Sequence, residues 1–281
     1  MICLTGDIHH DSLGTNDQFF LHGNNTEIGI SREYLKILEK YEIKATFFTT
    51  GLTLKEQWDD FREVAESSLI ELGGHTYSGL PRKGERICSQ NGQPTCSHSK
   101  SHGSYEDQSQ DVKKMVEIID NRIGKIPLSW RSHGLVRDEN TDKILSENGI
   151  RFISDEYNFN KIFPEKKETG LISIPINVLM DHDHLLHAHR TPEFVKNQRK
   201  NWPFKGSPTD KSFNIKKWGN IVMAQIEAID EMEGLATVLI HPVCMYIADG
   251  FKTVEKILSF MKSLKTEFVW TSETKKILYT E

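Results

Sequence analysis

Acidic and imidazole side chains recur in this sequence at the points where short hydrophobic segments end. Asp7 and His9 follow the apolar start of "ICLTGDIHHD", His75 follows "LIELGG", and His241 follows "LATVLI". Neutral imidazoles bind divalent metal ions, and carboxylates and imidazoles transfer protons in catalysis. The pattern predicts a metal site or an acid–base site wherever the ends of these segments meet.

More polar residues occupy equivalent positions. Arg131 and His133 follow "PLSW", Asp155 follows "IRFIS", and the run Asp181–His184 follows "PINVLM". A single histidine at a strand end is more often a hydrogen-bonding side chain than a ligand, and an acid near a strand end often caps local backbone. The chain has twelve histidines, most of them at such ends or in the loops beyond. Their joint occurrence favours one shared site.

The elements that must position these residues alternate between strand and helix. The β-rich segment "KATFFTTG" comes after the amphipathic segment "SREYLKILEKYE", for which Ser31 is the predicted N-cap. A longer helix, "DQSQDVKKMVEIIDNRIG", places Val112, Met115 and Ile119 on one face and ends at Gly124. This alternation predicts a parallel sheet with helical crossovers.

The fold expected from this alternation is α/β, a distorted (β/α) barrel of about seven strands. Catalytic sites of such barrels lie at the carboxyl ends of the strands, where the polar residues occur. No glycine-rich phosphate-binding loop, internal repeat or linker is found in the sequence. We therefore expect residues 1–281 to form a single barrel domain.

Composition excludes several classes of function. The 281 residues carry a net charge of −5, which gives no indication of nucleic-acid binding. No apolar run approaches the roughly 20 residues that a membrane helix needs. The chain starts within a strand and shows no signal peptide, so a cytoplasmic location is expected. Cys3 and Cys244 lie in apolar segments, and Cys88 and Cys96 are near enough in sequence to pair, although reduced thiols are expected in that compartment.

The segments "LTGDIHHD", "ATFFTTG", "ELGGHTYSG", "WRSHG" and "LIHP" occur in this order. Together they resemble the motifs of the polysaccharide deacetylases, the NodB-homology group of carbohydrate esterase family four. In that family the first strand ends in Thr-x-Asp-Asp. A His-Ser/Thr-x-x-His motif, an Arg-x-Pro-x-Gly motif and a late catalytic histidine follow. The resemblance extends from Thr5 to the final helix.

The resemblance implies a NodB-like barrel that removes an N-acetyl group from an N-acetylated sugar or saccharide precursor, with a divalent metal ion, expected to be Zn²⁺. Asp7 matches the base that takes a proton from water. Arg131 matches the residue that keeps this base ionised, and His241 matches the acid that protonates the leaving amine. We expect a small-molecule or oligosaccharide substrate, and Trp130 is a candidate for stacking on a sugar ring.

The sequence departs from the family in its metal-binding motifs. Ile8 replaces the second Asp, and Gly79 replaces the second His of the metal pair. Some relatives carry Asp-x-Asp instead. Aligned in that way, Asp7 keeps the position of the base and His9 takes the position of the ligand. A shift of one residue in the alignment would make Asp7 a ligand instead of the base. His75 matches the first His of the metal pair.

The third ligand is predicted to be His102, because it immediately precedes the segment that follows the metal motif in the family. Other candidates are His10, His98 and the run Asp181–His184. The proline of the third motif is replaced by His133, whereas Arg131 and Gly134 fit that motif.

Two other functions fit the sequence. One is a different barrel metallohydrolase, an amidohydrolase or a phosphoesterase, for which two metal ions about 3.5–4 Å apart are expected. The other is a saccharide-binding relative that has lost its metal ion through the changes at Ile8 and Gly79.

Overall fold

The structure, a computed structural model, describes residues 1–10, 17–78, 103–201 and 207–278. Its strands are β1 (Ile2–Ile8), β2 (Ala45–Thr49), β3 (Ile70–Gly74), β4 (Ser129–Trp130), β5 (Phe152–Ile153), β6 (Glu165–Lys166), β7 (Ile172–Ser173) and β8 (Ala236–Leu239). Its α-helices are α1 (Glu27–Tyr41), α2 (Gly51–Glu56), α3 (Trp58–Ala65), α4 (Tyr105–Ile123), α5 (Thr141–Glu147), α6 (Asp181–His184), α7 (Pro192–Asn201), α8 (Ile215–Glu231), α9 (Pro242–Asp249) and α10 (Lys252–Ser263). Short 3-10 helices span Gln18–Phe20, His133–Leu135 and Thr271–Ile277.

The strands form one sheet in the order β6-β7-β5-β4-β3-β2-β1-β8. Every neighbouring pair is parallel except β6 with β7. Within the described residues the sheet thus has seven strands in the parallel direction and a short antiparallel strand at one edge. The prediction of an α/β barrel of about seven strands is confirmed, although the barrel is a curled, half-open sheet.

A buried asparagine links the two sides of the curled sheet. The backbone after β7 runs beside β8 without a regular ladder, and the side chain of Asn177 takes over the hydrogen bonds there. Its Nδ2 donates to the carbonyl oxygen of Leu235 at 2.9 Å, and the backbone N–H of Thr237 donates to its Oδ1 at 2.9 Å. The amide therefore pairs with β8 as a strand backbone would and draws that side of the sheet inward.

The hydrophobic core of the described residues has three parts, the smallest of which consists of Ile176, Met180 and Leu239. The largest part lies between the sheet and the outer helices, where Leu4 and Phe47 pack with Tyr34 and Leu38 of α1. A smaller cluster joins non-neighbouring strands, and its members are Cys3, Phe152, Ile172, Ile174, Leu235 and Val269. Strands that are not neighbours can touch only across the inside of a curled sheet, so this cluster fills the barrel interior.

The position of Cys3 in that cluster fixes the direction of the polar residues that follow it. Side chains alternate between the faces of a strand, so residues two apart point to the same side. Asp7 therefore shares the interior face with Cys3, and His9 continues that row just beyond the carboxyl end of β1. The geometry of β1 thus places Asp7 and His9 at the mouth of the barrel.

Helix α1 begins earlier than predicted. Its N-cap is Thr26, whose Oγ1 accepts a hydrogen bond from the backbone N–H of Gly29 at 3.0 Å, and Ser31 lies one turn inside the helix. The prediction of Ser31 as the cap is therefore wrong, and its hydroxyl instead donates to the carbonyl oxygen of Glu27. The earlier start places Glu27 in the first helical turn, where it is buried.

Helix α4 follows the prediction closely. A capping box between Ser104 and Asp107 starts it, and Gly124 ends it in the left-handed conformation that glycine adopts without strain. None of the helices in the described part of the chain is both long and apolar enough to span a membrane.

Candidate active site

The carboxylate of Asp7 and the guanidinium of Arg131 form a buried ion pair at the centre of the barrel mouth. Arg131 Nη1 donates to Asp7 Oδ1 at 2.8 Å. The other guanidinium nitrogens donate to Ser154, Nε to its carbonyl oxygen at 3.0 Å and Nη2 to its hydroxyl at 2.7 Å. Because every branch of the guanidinium has an acceptor, Arg131 is held rigidly against Asp7.

This pairing sets the ionisation of Asp7. Burial raises the pKa of the carboxyl group, but the charge and hydrogen bond of Arg131, together with the imidazoles of His75 and His241, outweigh burial and hold the pKa of Asp7 well below its ordinary value. Asp7 is therefore ionised at neutral pH. Its second oxygen, Oδ2, lies 3.7 Å from Nε2 of His75 and 3.7 Å from Nε2 of His241, so it faces the centre of the site with a free acceptor.

His241 follows β8 and is oriented by Asp181, the first residue of α6. Asp181 Oδ1 lies 2.8 Å from His241 Nδ1, and Asp181 Oδ2 accepts the backbone N–H of His241 at 2.6 Å. Burial favours the neutral imidazole, yet the Asp181 carboxylate raises the pKa of His241 to about 9. At neutral pH His241 is protonated and directs an acidic N–H at the centre of the site.

Three imidazoles gather beside this acid–base pair. His9 follows β1, His75 follows β3, and His133 lies in the turn after β4, and we call them the three-histidine group. Each pair of their rings has centroids 5.3 Å apart, and one nitrogen of each ring lies within 4.8 Å of one nitrogen of the others. The donors are three imidazole nitrogens, with Asp7 Oδ2 3.7 Å from Nε2 of His75, and such a set suits neutral imidazole ligands around one divalent ion.

The outer nitrogens of two of these rings are engaged by acceptors. His9 Nδ1 lies 3.1 Å from Glu27 Oε1, and Gln18 Nε2 in turn donates to Glu27 Oε2 at 2.7 Å. His75 Nδ1 lies 2.7 Å from the carbonyl oxygen of Arg131. An acceptor at Nδ1 fixes the proton there and leaves the lone pair on Nε2, as in metal-binding histidines of known proteins.

The turn that carries His133 is held by an aspartate. Asp155 Oδ1 accepts a hydrogen bond from the backbone N–H of Ser132 at 2.6 Å, and Asp155 Oδ2 accepts one from the hydroxyl of Ser132 at 2.9 Å. Gly134, at φ 65°, then takes the left-handed conformation that reverses the chain. His133 is thereby directed back toward His9 and His75.

The structure brings together most of the residues predicted from the sequence. Asp7, Arg131 and His241, which were predicted as an acid–base set, lie close together, and so do His9 and His75, which were predicted as metal ligands. The third predicted ligand, His102, lies outside the described residues. Within the described residues the third imidazole of the group is His133. The sequence analysis noted this residue only because it replaces the proline of the third motif.

The other candidates from the sequence have different surroundings. His98, Gly79 and the cysteines Cys88 and Cys96 lie outside the described residues. His10 points to Glu56, with Nε2 and Oε2 3.4 Å apart. Trp130 is buried against Gly74, so the prediction that it stacks on a sugar ring is wrong.

The residues of the run Asp181–His184 have different contacts. Asp181 orients His241. His184 Nδ1 lies 2.7 Å from the carbonyl oxygen of Lys211, and His182 Nε2 lies 3.1 Å from Oδ2 of Asp17. Sequence reasoning missed Glu27 and Asp17, and it did not foresee that Asp181 orients His241.

Comparisons with known proteins place this geometry in context. Residues 28–153 match the family model "Polysaccharide deacetylase". No curated protein sequence matches the chain. Among solved structures, a polysaccharide deacetylase from Mycobacterium smegmatis is 16% identical with a TM-score of 0.66, over 98% of this chain and 89% of that one.

Two further structures extend the comparison. Puue allantoinase is 12% identical with a TM-score of 0.62, over 99% of this chain and 92% of that one. A family 4 acetyl xylan esterase from Clostridium thermocellum, in complex with a cobalt ion, is 14% identical with a TM-score of 0.52, over 98% of this chain and 90% of that one. The chain therefore has the fold of the polysaccharide deacetylases and, over residues 28–153, also their sequence pattern, which confirms the resemblance.

Proposed function

We propose that the chain is a metal-dependent hydrolase that removes the N-acetyl group from an N-acetylated sugar or saccharide precursor. The observation that carries the proposal is the position of Asp7 and His241. Their facing atoms, Oδ2 and Nε2, are 3.7 Å apart beside the three-histidine group. A base and an acid on either side of a small gap suit hydrolysis of an amide, which needs a proton removed from water and another given to the amine.

The ionisation states of the two groups agree with these roles. Asp7, kept ionised by Arg131, accepts the proton of the attacking water on Oδ2. His241, kept protonated by Asp181, donates the proton on Nε2 to the leaving nitrogen. The two residues start from opposite protonation states at neutral pH because one lies against a cation and the other against an anion. No prior rearrangement of protons is needed.

The three-histidine group fits a divalent metal ion. Two of its rings have Nδ1 held by acceptors, and the donor set consists of neutral nitrogens, as in zinc hydrolases. An ion held there, with Zn²⁺ proposed, would lower the pKa of a bound water and polarise the carbonyl oxygen of the substrate. His9, His75 and His133 would hold it, and Asp7 would remain outside the ligand set as the base.

The same group argues against an inactive saccharide-binding relative. The replacements at Ile8 and Gly79 remove two ligands of the family pattern. His9, one residue after Ile8, and His133, in place of the motif's proline, join His75 to give three nitrogen donors at one point. Binding of a saccharide without a metal ion does not require three imidazole nitrogens at one point.

Acetate release from N-acetylhexosamine derivatives tests the proposal. The protein, loaded with Zn²⁺, is incubated with mono- and oligosaccharides, and released acetate is measured beside the Asp7→Asn variant and the control Asp59→Asn, an exposed acid on α3. We expect acetate from the parent and the control and almost none from Asp7→Asn. A folded, zinc-loaded parent that releases no acetate from any N-acetylated saccharide would refute the proposal.

A further inference from the structure

A second cluster of metal-binding side chains surrounds Asp17, on the other side of His241 from the three-histidine group. The Asp17 carboxylate is buried, and three imidazoles contact it. His187 Nε2 and His189 Nδ1 each lie 3.3 Å from Oδ1, and His182 Nε2 lies 3.1 Å from Oδ2. The thiol of Cys244, at the start of α9, lies 3.6 Å from Oδ2. We call these residues the Asp17 group.

Three buried atoms of the Asp17 group have no hydrogen-bond partner within the described residues. They are Asp17 Oδ1, His187 Nε2 and His189 Nδ1, and they face one another. The side chain of His187 is 0% exposed and that of Asp17 is 2% exposed, so neither atom can turn to solvent instead. An unpartnered polar atom is unfavourable in a buried place, so three at one point indicate a missing partner.

The tautomer of His187 shows what kind of partner is missing. Its Nδ1 lies 3.0 Å from the carbonyl oxygen of Leu185, an acceptor that requires the proton on Nδ1. In the neutral ring Nε2 then carries a lone pair, and this lone pair faces an oxygen of the Asp17 carboxylate. Two acceptors that face each other in a buried place repel unless a cation lies between them, either the second proton of an imidazolium or a metal ion.

The spacing of the donors fits a transition-metal ion. One donor atom each from Asp17, His187 and Cys244 lies within 4.8 Å of the others. In a tetrahedral zinc site, bond lengths of about 2.0–2.3 Å put neighbouring ligand atoms about 3.3 Å apart for nitrogen with oxygen and about 3.5 Å apart for sulfur with oxygen. His187 Nε2 lies 3.3 Å from Oδ1 of Asp17 and Cys244 Sγ lies 3.6 Å from Oδ2, so each separation is of the length of such an edge, measured to a different oxygen of the carboxylate.

We propose that the Asp17 group is a second site for a first-row divalent cation of the Zn²⁺ type, with Asp17, His187 and Cys244 as ligands and His189 as the fourth. His189 is preferred to His182 because its Nδ1 is unpartnered and its side chain is 8% exposed, against 40% for His182. The site is distinct from the three-histidine group and shares no ligand with it.

Neighbouring charges permit a cation there. Burial, and after it the carboxylates of Asp17, Asp181 and Glu27, hold the pKa of Cys244 well above its ordinary value. The buried cation Arg190 donates to the carbonyl oxygen of Asp183 at 3.3 Å and lies 3.8 Å from the carboxylate of that residue. Without an ion, Cys244 is thus a thiol that donates to Asp17.

Metal stoichiometry tests the proposal without any reliance on catalysis. The full chain is stripped with a chelator and equilibrated with Zn²⁺ alone, and bound zinc is measured by mass spectrometry and by calorimetric titration. We expect two equivalents in the parent and in the control His22→Ala, which changes an exposed histidine. His187→Ala and His75→Ala should each bind one equivalent, and the double variant none.

Cobalt gives a second measurement if His187→Ala fails to fold. Co²⁺ bound to a thiolate shows a charge-transfer absorption band that imidazole and carboxylate ligands alone do not give. We expect this band in the parent and in His75→Ala and its loss in Cys244→Ser, which changes a single buried atom. One equivalent of zinc in both the parent and His187→Ala, or no thiolate band in the parent, would overturn the proposal. If His187→Ala binds one equivalent of zinc less than the parent while His75→Ala binds as much as the parent, the result would support this site and count against the proposed function.

Discussion

The three-histidine group and the Asp17 group use similar side chains in opposite arrangements. In the three-histidine group the acceptors lie outside: Glu27 engages the far side of His9, the carbonyl oxygen of Arg131 engages the far side of His75, and the inner nitrogens face one another. In the Asp17 group the carboxylate lies inside, and the imidazole nitrogens point at it.

The difference shows how the position of an anion decides what a histidine cluster can do. With acceptors outside, the rings of His9 and His75 each have a fixed proton and an inner lone pair, so the cluster can hold an ion and keep a position open for water. With the carboxylate inside, the anion is itself a ligand, so it contributes charge and helps to close the site. We therefore assign hydrolysis to the three-histidine group and expect the Asp17 group to hold its ion without an open position.

Replacing Asp7 should have the largest effect and should act on the first arrangement alone. Asp7→Asn removes the proton acceptor beside the three-histidine group, and we expect kcat to fall about 10²–10⁴-fold. Zinc binding at both sites should remain within a few-fold of the parent, since Asp7 is not a ligand. Steady-state kinetics and zinc content measured on the same preparation check both expectations. A large loss of zinc from the three-histidine group would show that Asp7 is a ligand instead of the base.

Glu27→Gln tests the role of the outer acceptors. It weakens the acceptor at Nδ1 of His9, and loss of such a partner typically reduces metal affinity about 10–100-fold. The affinity of the Asp17 group should change less, because Glu27 contacts His9 directly and acts on Cys244 only through its charge. Calorimetric titration of zinc resolves the two sites. Equal weakening of both would show that Glu27 acts through general loss of structure.

Asp181→Asn should move the basic limit of activity. The pKa of His241 is raised by Asp181 to about 9, so the imidazole donates a proton below that pH and loses this ability as the pH rises through it. With a neutral partner the pKa should fall toward the ordinary value of about 6.5, so activity at pH 8 should drop about 30-fold. The pH profile of kcat/KM measures the shift. A basic limb that stays at the same pH in the variant would exclude His241 as the acid.

Ser132→Ala should have the smallest effect of these changes. It removes the hydroxyl that donates to Asp155 and that accepts the indole N–H of Trp130 at 3.2 Å. We expect a loss of about 1–3 kcal/mol in the free energy of unfolding and a few-fold weaker zinc binding at the three-histidine group. Chemical denaturation and zinc titration measure the two effects. Unchanged zinc affinity would show that the turn does not position His133.

The sequence predicted the parts of the site that depend on a single strand. Asp7 and His9 are two residues apart at the end of one strand, so their common direction follows from strand geometry. Arg131 and His241 were predicted from strand ends and from the resemblance, and the curled parallel sheet brings those ends together. The single domain and the cytoplasmic location stay predictions.

What the sequence did not predict depends on contacts between distant segments. Glu27 was missed because Thr26 and Ser31 are both plausible caps, and the later one would leave Glu27 outside the helix. The contribution of His133 depends on a turn held by Asp155, which comes from the next strand. Asp17, His187 and Cys244 come from three segments far apart in the sequence, and no local pattern predicts that they meet.

The most direct test of the central claim is a crystal structure of the zinc-loaded protein with anomalous scattering recorded at the zinc edge. The account predicts a peak bonded to nitrogens of His9, His75 and His133, with Asp7 Oδ2 too far for a bond and still facing Nε2 of His241. A peak bonded to Asp7 in place of His133, or no peak between these three imidazoles at saturating zinc, would contradict it.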